Sequence, residues 1–403
     1  MGKEILKKLF VALLILYSIY LIIHVSTHRS NYQTDFKIYY YAAKAYAAGL
    51  NPYDSNVLFE MACVPKHNKF VYPPLTLFFF RSFSLVKFDI AFYLFLSFKC
   101  ILLTSLIYLW AKKFLQKDAD LLFYIFCLLA FNSAIYLDVI ASNISILEQC
   151  FLWTAFYFLL NRKLLPFCIL IIAAAIFKIT PILFLILIWF SRFEKKKKFI
   201  YFSGAFAAFL VILLVSYITN PLLVKCFINN TSEINERGII NPSTMALLKD
   251  VFELLAIKTG VIVPQTAQLG LFFIIITTIL FMTWRSYLIL KSFDIEHKEK
   301  ITIFLACLVY ALILPRFKDY SYILLLVPTY FIIKRGAYTK AHNLLFILTT
   351  LSAARITLPG FPIIFHFLWM YYPLIIAYFI WSLYLYNTLL LKKKWLSETN
   401  RAK

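Results

Sequence analysis

The sequence predicts an all-α polytopic membrane protein with about twelve transmembrane helices, built as one integral domain over residues 1–403. Three observations carry this. The chain is 62% apolar and only 15% charged, with a mean hydropathy of +0.80, a balance no soluble domain shows. Apolar runs near the ~20 residues needed to cross a bilayer recur from end to end. Lys and Arg gather in the short turns between those runs: Lys3/Lys7/Lys8, Lys112/Lys113/Lys117, Arg162/Lys163, Arg192 with Lys195 to Lys198, Lys298/Lys300, Lys334/Arg335 and Lys392 to Lys394. That is the positive-inside pattern of cytoplasmic turns. The net charge of +22 is therefore spread over membrane-proximal turns, where it meets anionic lipid headgroups. It does not form the continuous basic surface that nucleic acid would need.

With the basic turns inside, alternation gives the elements in order. The first helix, about 5–26, opens like a signal peptide but ends in His24-Val25-Ser26-Thr27-His28-Arg29. Without a small-x-small cleavage site it reads as an uncleaved membrane helix leading outward. Residues 27–70 form the first external loop. Within it, Lys37 and Lys44 share one helical face, and Phe36, Tyr39, Tyr40 and Ala43 share another. Gly49 stops the helix and Asn51-Pro52-Tyr53-Asp54 makes a turn. A helix over 36–48 lying along the external interface is the expectation. Residues 71–86 are apolar but contain Tyr72-Pro73-Pro74, Arg81 and Lys87, and a crossing there would put Lys112 and Lys113 outside. This stretch reads as partly embedded or re-entrant.

Spans follow at about 89–111, 120–137, 145–161, 164–177, 181–191, 199–219, 267–290, 301–314, 320–334, 342–357 and 366–390, with a second external loop at 220–266 and both termini cytoplasmic. The short pair 164–177 and 181–191 is interrupted by Lys178-Ile179-Thr180-Pro181, a break tolerated at membrane depth only against protein or a cavity. This topology collects Asp35, Asp54, Tyr72, Asp138, Lys178, Arg316, Lys318 and Asp319 on the external side. Charges kept there by so apolar a chain point to function.

Several features carry no site. Asp118-Ala119-Asp120 looks like a metal–nucleotide motif, but it follows Lys112, Lys113 and Lys117 on the cytoplasmic side and opens a helix, so it reads as a capped turn. His24, His28, His67, His297, His342 and His366 lack metal spacing, and no Gly-rich phosphate loop occurs among eight glycines. No metal or cofactor is expected. Of seven cysteines only Cys63 and Cys226 fall in expected external loops, which leaves a bridge between them open.

Asp35 is the candidate that residue chemistry leaves open. At the start of a helix it is either a first-turn carboxylate favoured by the dipole or a base held at the water–lipid boundary. Here the chain resembles glycosyltransferase family 87, the polyprenol-phosphate-mannose-dependent mannosyltransferases of the GT-C superfamily. The resemblance lies in Asp-Phe-x-x-Tyr-x-x-Ala-Lys over 35–44, Gly49 to Asp54, Tyr72-Pro73-Pro74, Asn143-Ile144-Ser145 opening a helix that ends in Asn161-Arg162-Lys163, Ala173 to Pro181, and Asn241-Pro242-Ser243-Thr244. These motifs run in order over most of 30–330, each short, the ordered set fairly specific. Some family members carry Ser-Pro, then Trp and His, near the late external turn. This chain has Leu314-Pro315-Arg316-Phe317-Lys318-Asp319-Tyr320-Ser321-Tyr322 instead. The sugar or acceptor is thus open to differ from mannose on a phosphoinositol glycolipid.

The resemblance implies transfer of a hexose or pentose, mannose foremost, from a polyprenyl-phosphate donor to a glycolipid or glycan acceptor, with inversion, on the outer face of the plasma membrane. It makes Asp35 the base. Lys178, Arg316 and Lys318 would meet the donor phosphate, a task suited to cations. Lys37, Tyr39, Tyr72 and Asp319 would line the substrate cleft. On the residues alone, Lys178 also reads as a snorkelling lysine, Arg316 and Lys318 as a solvated turn, and Tyr72-Pro73-Pro74 as a rigid turn. The rival readings are a polytopic transporter or lipid flippase, to which a broken helix is suited, and a glycan polymerase. The first should show two similar halves, which the sequence lacks; the second should keep its charges mainly in late loops.

Overall fold

A computed structural model describes residues 34–65, 68–292, 297–335, 342–351 and 363–401, and the single positions 16, 19, 20, 23 and 27. Apart from positions 16, 19, 20 and 23, the expected first membrane helix lies outside the described residues, as do His24, His28, His67 and the end of the expected span 342–357. Every regular element among the described residues is helical.

Three short helices make up the first loop region: α1 (Thr34–Ala47), α2 (Ser55–Ala62) and α3 (Thr76–Ser84). Asp35 in the first turn and Lys44 in the last both favour the dipole of α1. Gly49 follows it at φ 74°, the left-handed conformation that stops a helix at little cost. Phe36, Ile38, Tyr39, Tyr40, Ala42, Ala43 and Ala45 are buried, while Lys44 is exposed, so the two faces read from the sequence are distinct. The buried face meets α3 and the next helix through stacked rings, Tyr39 on Phe80 at 4.5 Å and Phe36 on Phe95 at 4.4 Å. The Tyr40 hydroxyl donates to the Val86 carbonyl and the Tyr53 hydroxyl to the Tyr72 carbonyl, both at 2.7 Å. With nine residues, α3 rises only about 14 Å and cannot cross a ~30 Å hydrocarbon layer alone.

Long helices follow. α4 (Phe88–Leu109) runs on through a π turn, Trp110–Leu115; α5 (Leu121–Ala141), α6 (Ser145–Leu160) and α7 (Leu164–Phe177) come next. A 3₁₀ segment (Thr180–Ile186) and a helical turn (Leu187–Phe190) lead to α8 (Lys195–Thr219), α9 (Pro221–Ser232), α10 (Thr244–Thr259), α11 (Gln265–Ser292) and α12 (Lys298–Ile313). A second 3₁₀ segment (Asp319–Leu325) precedes α13 (Leu326–Arg335), α14 (His342–Leu351), α15 (Ile363–Met370) and α16 (Tyr372–Arg401). Among the described residues, five stretches are long and apolar enough to cross a membrane: Phe88–Asp118, Leu121–Ala141, Lys195–Thr219, Gln265–Ser292 and Tyr372–Leu390. Ser145–Leu160, Leu164–Phe177 and Thr180–Phe190 are apolar but shorter. The region expected as one external loop, 220–266, holds α9 and α10.

α8 and α11 expose Leu210, Val211, Leu214, Phe273, Ile274 and Phe281. Helices that are apolar on their outer face suit lipid as solvent. α6, α12 and α13 are largely buried, with Trp153, Phe156, Leu308 and Val327 inaccessible. α5 is interrupted where Phe131, Asn132 and Ser133 take positive φ angles of 53°, 58° and 56°. Nothing in this apolar run signals the break. Phe131 and Asn132 are buried, and Phe131 stacks on Tyr322 at 5.4 Å. A broken helix is tolerable where protein rather than lipid covers it.

The bundle has two chemically different ends. At one, the basic turns meet each other and their acids: Arg335 with Asp118, Lys334 with Asp120, Arg192 with Glu299, and Lys300 on the Phe114 carbonyl. At the other end stand α1, the start of α6, the end of α7 and the turn after α12.

Candidate active site

Asp35 and Tyr39 are four residues apart, so both point from the same face of α1. That face meets Asn143, which follows the end of α5. Ser142 closes α5 in a left-handed conformation (φ 51°), donating its N–H to the Asp138 and Val139 carbonyls. Asn143 Oδ1 then accepts the Ser145 N–H at 3.1 Å and the Ser145 hydroxyl at 2.9 Å. This is an Asx turn opening α6. It also fixes the amide orientation, because a backbone N–H can only donate.

Asn143 Nδ2 therefore faces the opposite way, into four oxygens: Asp35 Oδ2 at 2.6 Å, Tyr72 Oη at 2.9 Å, and Tyr39 Oη and Tyr320 Oη at 3.0 Å. The amide has two protons for these four positions. The carboxylate is the strongest acceptor and takes one. The Tyr39 hydroxyl donates to Tyr72 Oη at 2.8 Å. Burial, then Tyr72 and Asp35, raises the Tyr39 phenol well above its ordinary range; burial and Asp35 raise Tyr72 likewise. Both phenols hence stay protonated beside a half-buried carboxylate, with Tyr39 donating to Tyr72.

The network continues to a cation. Lys178 ends α7, where Pro181 in the next segment prevents the helix from continuing. Its Nζ donates to Ser145 Oγ at 2.9 Å and pairs with Glu148 at 2.6 Å. Ser145 and Glu148, one turn apart on α6, form one face toward it. Lys178 Nζ also stands 5.6 Å over the Tyr320 ring, and Lys318 Nζ stands 5.6 Å from the same ring. Tyr320 thus lies in cation–π reach of two lysines while its hydroxyl touches Asn143.

Arg316 and Lys318 converge on one carboxylate. Arg316 donates through Nε and Nη2 to Glu236 Oε2 at 3.0 and 2.7 Å, and Lys318 Nζ pairs with Oε1 at 2.8 Å. Burial alone would raise Glu236, but Lys318 and then Arg316 outweigh it and hold it below its usual range. The turn bearing these cations is clamped by the Asn241–Thr244 motif. Asn241 Oδ1 accepts the Phe317 N–H at 2.8 Å, the Ser243 hydroxyl donates to the Pro315 carbonyl at 2.7 Å, and the Thr244 hydroxyl donates to Leu312 at 2.7 Å.

Of the residues expected from sequence, the structure joins Asp35, Tyr39, Tyr72 and Lys178 in one hydrogen-bonded cluster, with Arg316 and Lys318 beside it. Asp319 accepts the Tyr320 N–H at 2.8 Å and so opens the segment that carries Tyr320. Lys37 sits two residues from Asp35, on another side of α1, and is not part of the cluster. Asp120 accepts the Phe123 N–H as an N-cap and pairs with Lys334 at 2.7 Å, and Asp118 pairs with Arg335 at 2.5 Å, at the far end of the bundle. Cys63 and Cys226 are both free thiols.

Sequence reasoning gave no role to Asn143, Ser145, Glu148, Glu236 or Tyr320. Glu148 carried a signal, as a carboxylate within an apolar helix. So did Lys99, which forms a fully buried pair with Asp138 at 2.6 Å, within electrostatic reach of Asp35. Glu236 lies in a polar loop and carried none.

The comparisons fit this geometry. The family model for glycosyltransferase family 87 matches residues 70–315. No curated protein and no solved structure matches the chain. The matched stretch holds Tyr72, Asn143, Ser145, Glu148, Lys178 and Glu236. Asp35 precedes it, and Arg316, Lys318 and Tyr320 follow it, yet the fold brings Asp35 and Tyr320 onto Asn143 and sets Lys318 beside the Tyr320 ring. The match covers more than half of the chain, and on it the protein belongs to glycosyltransferase family 87.

Proposed function

We propose that this glycosyltransferase moves a sugar from a polyprenyl-phosphate donor to a glycolipid or glycan acceptor at the outer face of the plasma membrane. It would act as a GT-C type domain of about twelve spans with both termini cytoplasmic. Asp35 accepts the proton of the acceptor hydroxyl. That oxygen attacks the anomeric carbon from the face opposite the phosphate, and the carbon–oxygen bond to phosphate breaks with inversion. The leaving polyprenyl phosphate gains negative charge, which Lys178, Arg316 and Lys318 offset. Tyr39 and Tyr72 hold the carboxylate edge of the cleft, and Asp319 orients the Tyr320 segment.

The observation that carries this reading is the hydrogen-bonded path from Asp35 through Asn143 and Ser145 to Lys178. A carboxylate and an ammonium tied to one scaffold support the reading, since transfer between a hydroxyl and a phosphate ester calls for both to be held in place. The test is to incubate purified protein with polyprenyl-phosphate mannose, glucose or arabinose and an acceptor lipid extract, following released polyprenyl phosphate and product mass. Release with one donor and a matching mass gain on the acceptor is expected. Consumption of nucleotide sugars with no polyprenyl phosphate released would overturn the donor assignment.

A further inference from the structure

A polar cavity of about 420 Å³ opens at the end of the bundle away from Asp35. The two sites bracket α6: Ser145 begins the helix at the Asp35 cluster, and Asn161, just past its last turn, lines the cavity, about 24 Å of helix later. Five cationic side chains line it, Lys113, Arg162, Arg192, Lys298 and Lys300. Among the described residues lining it, Glu299 is the one carboxylate, and it pairs with Arg192 at 3.3 Å. So many like charges around one concavity repel one another unless an anion joins them.

The backbone supports a built site. Gln116 (φ 56°, ψ −118°), Arg162 (φ 57°) and His297 (φ 67°) are all non-glycine residues at positive φ, come from three separate turns, and all line this cavity. Each turn is set by the helix end it caps; at Arg162 the Lys163 N–H closes α6 on the Phe158 carbonyl at 2.8 Å, which fixes where the cations of the three turns stand. Three of the cations are anchored by their own contacts: Lys113 Nζ stands 5.6 Å over the Tyr157 ring, Lys298 Nζ donates to the Lys291 carbonyl at 2.8 Å, and Lys300 Nζ donates to the Phe114 carbonyl at 3.2 Å. α12 begins at Lys298, which adds the positive end of a sixteen-residue helix.

We propose that this cavity binds a phosphate group, apart from the transfer site. The chemistry is shared by the headgroup of an anionic membrane lipid and by a soluble phosphate, and basic pockets between helices at a membrane surface suit the first. Full-length protein in phosphatidylcholine nanodiscs, with and without phosphatidylglycerol, and in detergent with sodium pyrophosphate against sodium chloride of matched ionic strength, distinguishes the two sources through Tm. A rise with phosphatidylglycerol alone assigns a lipid headgroup; a rise with pyrophosphate alone assigns a soluble ligand. Lys113→Gln/Arg162→Gln/Arg192→Gln should lower apparent affinity at least about tenfold. The exposed single substitution Arg162→Gln, which removes no core contact, should show a smaller loss in the same direction, read by native mass spectrometry if the triple variant does not fold. No response to either probe beyond the salt control overturns the proposal. A wild-type response in the variants overturns it equally.

Discussion

The side-chain amide of Asn143 presents its nitrogen to Asp35 at 2.6 Å while its oxygen holds the Ser145 N–H at 3.1 Å. One side chain thereby joins the start of α1 to the start of α6. The two elements lie 108 residues apart in sequence. Asp35 Oδ2 is occupied by this contact, and among the described residues no hydrogen bond engages Oδ1. That second oxygen is the atom an acceptor hydroxyl would reach.

Asp35→Asn is expected to reduce transfer by ~10²–10⁴-fold, the usual contribution of a positioned base, while leaving Tm nearly unchanged. The amide can still fill the space and sits in the first turn of α1, but it takes no proton. Donor affinity should change little. Near-normal turnover in a defined assay would remove Asp35 from the role and direct attention to Asp319.

Asn143→Asp should be as damaging as loss of the base. It sets a second carboxylate 2.6 Å from Asp35 and removes the donor on which Tyr39, Tyr72 and Tyr320 converge. Like charges at that distance force one group to hold a proton, so the pH–rate profile should move as well as fall. Asn143→Ala, in contrast, should lower kcat with no such movement. Two variants with the same pH profile would contradict this account.

Lys178 and Glu148 should show a stability effect separable from catalysis. Glu148 is 5% exposed, so Lys178→Ala strands a buried carboxylate, a loss on the order of 3–5 kcal/mol where no other partner steps in. Adding Glu148→Gln removes the stranded charge and should restore most of the Tm. If Lys178 meets the donor phosphate as proposed, the donor KM of the double variant should stay high, because both variants lack that cation. Recovery of KM along with Tm would make Lys178 a structural residue only.

The all-helical class with membrane-spanning helices, the helical α1 with its two faces, the break at Lys178 and the family were legible in the sequence, because each rests on local pattern: hydropathy, helical spacing, a proline, or an ordered set of short motifs. The pairing around Asn143 was not. Asn143-Ile144-Ser145 is visible as a helix opening, but no periodicity says that its amide will meet a carboxylate from α1. Glu236 was hidden for a related reason. The resemblance assigns Arg316 and Lys318 to the donor phosphate, with a solvated turn as the alternative on the residues alone, and neither reading names their partner, because the carboxylate that Arg316 meets lies 80 residues away in a polar loop. The left-handed residues at 131–133 were also unreadable, since Phe, Asn and Ser there look like any other stretch of an apolar helix.

Glu236 should leave a mark on the acid limb of stability. Its folded value is depressed, so the native state binds fewer protons than the unfolded chain as pH drops. The stabilisation is present in full above the ordinary value of 4.5 and is lost as pH falls through the folded value. In Glu236→Gln that loss should be missing: a lower Tm at neutral pH, where Arg316 and Lys318 are left facing each other, and a shallower fall between about pH 5 and 3. An unchanged acid slope would separate Glu236 from this link.

The sides of the membrane decide whether the Asp35 cluster meets an external substrate at all. The basic turns gather at one end of the bundle, through Arg335–Asp118, Arg192–Glu299 and Lys300–Phe114, and the Asp35 cluster lies at the other. If positive charge stays inside, a membrane-impermeant thiol reagent applied to intact cells should label Asn56→Cys and spare Lys196→Cys, each in a background with the native cysteines replaced. Asn56 follows Asp54, which caps α2 at 2.8 Å, and is exposed, so the site is accessible without unfolding. Lys196 stands exposed in the first turn of α8. Labelling at 196 and protection at 56 would invert the bundle. The base and its cations would then face the cytoplasm, where nucleotide sugars rather than externally presented lipid-linked sugars are at hand, and the donor class would have to be reassigned with the topology.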